Sequence, residues 1–186
     1  MVRIIAGRWR RKKLVVLDKT NLRPTPSKVR ETLFNWLSSR IDLTSTLVLD
    51  LFCGSGALGF EAASRGAKKV YLIDSDRKVV DQLNQFINIL ENPKNIKIFC
   101  KEATEWLKLN QSCKFDLIFL DPPFDSPLLS ETLPFLHNLV NEGGHIYVEY
   151  GKEIYSLFDS IGFEVVRAGK SGAVRYYLIK KNSSEF

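Results

Sequence analysis

From residue 47 onward, short runs of branched and aromatic residues alternate with longer stretches at helical spacing, and that alternation leaves few architectures open. The apolar runs are Leu47 to Phe52, Lys69 to Ile73, Ile96 to Cys100, Leu117 to Leu120 and His145 to Glu149. Between them lie Ala57 to Arg65, Arg77 to Leu90, Ala103 to Leu109 and Leu128 to Asn141, each with helical patterning. Strands joined by helices run parallel, and a parallel sheet needs cover on both faces. Gly143 and Gly144 are expected to form the turn into the fifth strand. A helix near Lys152 to Ile161 follows, then strands at Phe163 to Arg167 and Val174 to Ile179 around the hairpin signal Gly169 to Gly172. The expected fold class is α/β: a Rossmann-like, seven-stranded, mostly parallel sheet with its last strand antiparallel.

Two segments of this framework carry chemistry. Asp121, Pro122, Pro123 and Phe124 follow the fourth strand, and two prolines must stop it because proline lacks the amide hydrogen that a ladder needs. A carboxylate, backbone carbonyls and an aromatic ring are thereby left at a strand's carboxyl end, the edge where open α/β sheets bind ligands. A flat molecule bearing an amino group, such as a nucleobase, suits that turn; an ordinary strand-ending turn with a core phenylalanine is the alternative. The second segment, Asp50 to Gly59, joins the first strand to its helix and has glycines at 54, 56 and 59, the G-x-G-x-x-G pattern. Either a nicotinamide dinucleotide or S-adenosylmethionine fits such a loop. Asp50 discriminates, since a carboxylate is a poor neighbour for a pyrophosphate and a good one for an ammonium or sulfonium. The lesser alternative is a strand-end acid that binds the loop amides. With Phe52, Gly54, Ser55 and Gly56 in the loop, Asp74 and Ser75 after the second strand offer acceptors for a ribose diol. Glu102 and Ala103 after the third stand where an adenine would be read, although Glu102 can also be an exposed helix-start acid.

The first forty residues are of a different character. They hold eleven Lys and Arg against Asp18 and Glu31, a net +9, whereas the remainder holds 16 against 19 and is negative. So one-sided an excess points to a polyanion partner, nucleic acid above all. Arg3, Arg8, Arg10, Arg11, Lys12, Lys13 and Arg23 are the candidate phosphate contacts, with Trp9 either a stacking platform or a core residue. Val2 to Ala6 and Leu14 to Leu17 read as a small hairpin. Thr25 is expected to cap a helix with Pro26 at its first position. On that helix Val29, Leu33, Phe34, Leu37 and Ile41 form the buried face, with Lys28 and Arg30 free for solvent or a phosphate. Cys53, Cys100 and Cys113 are odd in number and lack C-x-x-C spacing, so neither a disulfide framework nor a metal site is expected. Such cysteines suit a reducing cytoplasm. With no apolar run near 18 residues, neither a membrane span nor a signal peptide is expected, and a monomer is the expected state.

Arg3-Ile4-Ile5-Ala6-Gly7, Leu22-Arg23-Pro24-Thr25, Val29 to Leu37, Gly54 to Ala62 and Asp121 to Phe124 together resemble the bacterial RsmD-type 16S ribosomal RNA guanine-N2 methyltransferases. The likeness covers essentially the whole chain. It implies a class I methyltransferase domain over residues 42–186 with a basic hairpin-and-helix extension, residues 1–41, for RNA. It also implies S-adenosylmethionine as cofactor, 16S rRNA of the assembling small subunit as partner, and guanine 966 as target. Cys53, Asp74 and Glu102 depart from the residues usual in that family, the last two by one methylene each. The resemblance implies Asp121 and the Pro122 carbonyl as acceptors for the two amino hydrogens, with Phe124 stacked on the base. A DNA amino-methyltransferase, a non-catalytic assembly factor on the same scaffold and a nicotinamide oxidoreductase are the competing readings.

Overall fold

The structure, a computed structural model, describes residues 2–14, 25–124 and 126–182. Strands β1 (Val2–Arg3) and β2 (Lys13–Leu14) pair antiparallel and precede helix α1 (Ser27–Ser38). The main body follows as β3 (Leu47–Asp50), α2 (Ala57–Ser64), β4 (Lys69–Asp74), α3 (Arg77–Ile89), β5 (Ile96–Cys100), α4 (Ala103–Leu109) and β6 (Phe115–Leu120). It ends with α5 (Leu128–Leu139), β7 (Val140–Tyr150), α6 (Tyr155–Ser160), β8 (Phe163–Ser171) and β9 (Val174–Lys181). The sheet order is β5-β4-β3-β6-β7-β9-β8. Strands β3 to β7 are parallel, and β9 is antiparallel to both β7 and β8, the expected seven-stranded arrangement. Among the described residues no helix is long and apolar enough to cross a membrane.

Strands buried on both faces account for the near-continuous apolar runs. Val48, Leu117, Phe119 and Tyr147 point to one core beneath α1, α2 and α3. Leu49, Ile118, Leu120, Ile146 and Val148 point to a second beneath α4, α5 and α6. One expectation fails in β7. Val140 already pairs with Phe115, the register then shifts, and His145 pairs with Leu117, so Gly143 and Gly144 form a bulge inside the strand rather than a turn before it.

The amino-terminal arm joins the first core. Val2, Ile4, Trp9 and Leu14 are buried with Leu33, Phe34 and Leu37 of α1. Trp9 is 6 % exposed and its amide donates to Ser64 Oγ at 2.9 Å, so it is a core residue and not a stacking platform. Gly7 has φ +81°, and a Cβ there would lie 1.9 Å from the Ser64 carbonyl oxygen, which is how closely the arm crosses the end of α2. Glu61 of α2, fully buried, accepts from the amides of Ile5 (2.7 Å) and Ala6 (3.0 Å) and from Arg65 Nε (2.7 Å). Arg30 corrects the sequence reading. Instead of facing solvent it is fully buried, 3.6 Å from Glu61, and donates to the Arg3 and Thr25 carbonyls at 3.0 and 3.3 Å. Its spacing from Leu33, Phe34 and Leu37 puts it on their face of the helix. The cap is also different. Pro26 holds the N-cap position with no side-chain cap bond, and the Thr25 hydroxyl instead reaches Glu149 at 2.7 Å. Arg23 and the expected strand beyond Leu14 lie outside the described residues.

Candidate active site

The chain runs from β3 outward to β5 on one side and resumes with β6 on the other side of β3, so the strand order reverses between β3 and β6. Crevices at such reversals, beyond the carboxyl ends of the strands, are where doubly wound sheets hold ligands. The glycine loop after β3 and the Asp121 turn after β6 flank this one. Two strand-end acids hold the loop in shape. Asp50 accepts from the Gly59 amide at 2.9 Å, and Asp74 accepts from the amides of Gly54 and Asp76, each at 2.9 Å. A Cβ at Gly59 would meet Leu72 Cδ2 at 2.1 Å and Asp50 Oδ2 at 3.1 Å, so glycine lets α2 lie this close to β4 without displacing Leu72.

Asp50 is therefore corrected towards its alternative reading. At 2 % exposure and bonded to Gly59, it fixes the loop instead of facing a ligand directly. Burial, followed by the carboxylates of Asp74 and Glu149, pushes its carboxyl group up to about 7 against the lowering effect of the Gly59 amide. Phe52 and Gly54 are half-buried, Ser55, Gly56 and Ala103 buried, and Ser75 and Glu102 exposed. Glu102 occupies the N-cap position of α4 without bonding to it, so its carboxylate is turned outward. Burial pushes the Cys53 thiol up beside Asp50 and Asp74, which keeps it protonated and unreactive.

In the turn after β6, Asp121 is half-buried, Pro122 buried and Pro123 exposed. The Pro123 carbonyl is taken by Ser126, whose amide and hydroxyl donate to it at 3.1 and 2.6 Å. Phe124 exposes 37 % of its surface and meets Tyr150 edge to face at 6.2 Å. Burial first, then the Glu149 and Asp50 carboxylates, hold the Asp121 carboxyl group well above the usual carboxylate range. Glu149 is the residue that sequence reasoning missed. Leu120 pairs with Val148, so the next residues along, Asp121 and Glu149, stand abreast at the ends of adjacent strands. Glu149 is 4 % exposed, accepts from Thr25 Oγ1 at 2.7 Å and Tyr147 Oη at 3.0 Å, and burial raises its carboxyl group too. A signal existed: β3 and β4 end in acids, β6 is followed by one, and the fifth apolar run does the same.

Arg3, Arg8, Arg10, Arg11, Lys12 and Lys13 are all exposed on the arm, with the Arg8 guanidinium 5.8 Å from the Trp9 ring. The arm docks at the carboxyl end of α2, whose eight residues put it about 12 Å from the glycine loop.

The family described as conserved hypothetical protein 95 matches residues 2–180. The ribosomal RNA small subunit methyltransferase D of Haemophilus influenzae is 39 % identical over 181 residues, covering 95 % of this chain and 92 % of its own. Its Escherichia coli counterpart is 38 % identical over 188 residues, covering 98 % and 91 %. The solved structure of Escherichia coli yhhF, described as a candidate methyltransferase, superposes with a TM-score of 0.87 at 37 % identity, covering 98 % and 99 %.

Proposed function

The chain belongs to the family described as conserved hypothetical protein 95, the RsmD-type family of its curated relatives, and from that premise we propose a methyltransferase of 16S ribosomal RNA that uses S-adenosylmethionine and modifies the exocyclic N2 of a guanine. The observation that carries the reading is the pairing of an acid, Asp121, and an exposed ring, Phe124, on a proline-stiffened turn across the strand reversal from a glycine loop.

The residues around that loop fit the cofactor. Asp74 and Ser75 would hold its ribose, the outward-turned Glu102 with Ala103 its adenine, and the loop from Phe52 to Gly56 its amino-acid portion, while Asp50 supports the loop from beneath. When bound, S-adenosylmethionine supplies a methyl group activated by a sulfonium centre. The guanine N2 lone pair is delocalised into its ring, which makes the nitrogen a weak nucleophile. Asp121 and the Pro122 carbonyl would accept its two hydrogens, hold the nitrogen in line and stabilise the positive charge that grows on it. Phe124 would stack on the base. The proton that N2 loses would leave to Asp121 or, after transfer, to water.

Extruding a base costs a few kcal/mol. The exposed arginines and lysines of the arm offset that through phosphate contacts, so we assign residues 1–41 to RNA and 42–186 to cofactor and chemistry. An rRNA substrate implies a cytoplasmic site of action, and a monomer suffices for every role assigned. Incubation with labelled methyl donor and small subunits from a strain lacking the activity tests this. The expected result is one N2-methylated guanine, at position 966 by family resemblance. No incorporation into any small-subunit RNA would leave a non-catalytic assembly factor, and methyl groups on DNA instead would replace the substrate class.

A further inference from the structure

Glu149 neither grips the glycine loop nor belongs to the turn that meets the base, yet it is buried on β7, the strand that flanks β6 on the side away from the loop. Its Oε1 atom accepts two hydroxyl donors. Tyr147 comes from the same face of the same strand and is a local partner. Thr25 lies 124 residues away in sequence, at the entrance to α1, where the arm ends. The Thr25 hydroxyl also bears on Asp121, drawing its carboxyl group down against the larger effect of burial. The Thr25 hydroxyl has one proton to share between the two carboxyl groups, so a stronger bond to one weakens the bond to the other, and Thr25, Glu149 and Asp121 set one another's hydrogen bonding.

We propose that Glu149 is a positioning residue for methyl transfer: by holding the Thr25 hydroxyl it locks the root of the arm beside Asp121, and as the abutting carboxyl group it governs when Asp121 is free to accept the amino hydrogens. The inference rests on the guanine-N2 reading above. Among the described residues, the groups that face Asp121 are Glu149 and the Tyr147 hydroxyl from β7, Asp50 from β3 and the Thr25 hydroxyl from the segment entering α1. The two carboxyl groups among them disfavour the Asp121 anion. An isolated structural acid at this position would be costly, since burying it beside a second carboxyl group brings no attraction in return. Its burial there makes sense if the lock and the tuning of Asp121 serve the reaction.

The test uses the full chain, small subunits as substrate and S-adenosylhomocysteine as the binding probe. Glu149→Gln keeps an acceptor for both hydroxyls but removes the like charge. Its acid limb of kcat/KM should move to lower pH, because Asp121 then loses its proton more easily, with probe affinity unchanged. Thr25→Val keeps shape and loses the donor. It should lower kcat roughly ten- to a hundredfold with KM for subunits within about twofold, and Thr25→Ser should restore most of the rate. An acid limb that Glu149→Gln leaves in place, or a Thr25→Val enzyme at the wild-type kcat, overturns the proposal. So does a loss in Thr25→Val that only follows a lower melting temperature and that Thr25→Ser does not rescue. An active wild type with unaffected variants refutes this inference alone, whereas an inactive wild type refutes the guanine-N2 reading on which it stands.

Discussion

Replacing Glu61 with alanine is expected to release the amino-terminal arm from α2. Glu61 accepts from two arm amides, Ile5 at 2.7 Å and Ala6 at 3.0 Å, and faces the buried Arg30 guanidinium at 3.6 Å. At that separation two unit charges attract by about 4–5 kcal/mol at an effective dielectric of about 20. Burial already lowers the proton affinity of Arg30, with Glu61 the leading opposing influence. Taking the acid away leaves a buried cation without its counter-charge, which costs about 3–5 kcal/mol. Two orphaned amides add about 1–3 kcal/mol each, and water entering the emptied space offsets part of that. A net loss of about 4–6 kcal/mol corresponds to a melting temperature lower by roughly 10–20 °C for a chain of this size. The arm should detach first. Hydrogen exchange at the amides of Ile5, Ala6 and Trp9 should accelerate while amides in β3 and β6 stay slow. If those three amides remain as protected as in the wild type and stability changes by less than about 1 kcal/mol, the ion pair does not hold the arm and the reasoning is refuted.

Asp121→Ala is expected to reduce methyl transfer by about a thousandfold or more while S-adenosylhomocysteine still binds within about twofold; a rate within about tenfold of wild type removes Asp121 from the chemistry. Asp50 carries a pH signature. Its carboxyl group, raised to about 7 in the fold, keeps a proton that the unfolded chain gives up near pH 4, so stability falls as pH rises through that window and levels off above it. Asp50→Asn retains an acceptor for the Gly59 amide and has no proton to lose. Its melting temperature should vary less with pH and exceed the wild type's above about pH 7, and parallel curves would contradict the assignment. Reversing the charges of the exposed Arg10 and Arg11 should weaken RNA binding and reduce the salt dependence, log affinity against log salt, by roughly two; an unchanged slope in anisotropy titrations would return both residues to the solvated surface.

The sheet is legible in the sequence because strands covered on both faces need unbroken apolar runs, and Leu47 to Asp50 or Phe115 to Leu120 cannot be read as much else. The glycine loop and the Asp121 turn are legible for a related reason, since glycine and proline act on their own backbone. Trp9 and Arg30 are harder. An aromatic among arginines resembles a nucleic-acid contact, and a lone arginine on an amphipathic helix resembles a surface charge. Which face each takes is settled by Ser64 and Glu61 on a helix more than thirty residues further on. Thr25 is harder still, because its position before a helix suggests a local cap while its hydroxyl serves a partner 124 residues away.

Taken alone, the order of residues determined the seven-stranded plan, the edge of the sheet that carries the candidate site, and the identities of the loop glycines and of Asp121. All of these follow from short-range periodicity and from backbone chemistry confined to a few neighbouring residues. Only the tertiary structure decided that Asp50 supports its loop, that Glu149 stands abreast of Asp121, and that Arg30 and Glu61 bind the arm to the body. Those roles depend on which strand ends and helix faces meet. A buried charge or hydroxyl takes its function from the partner that satisfies it, wherever in the chain that partner lies.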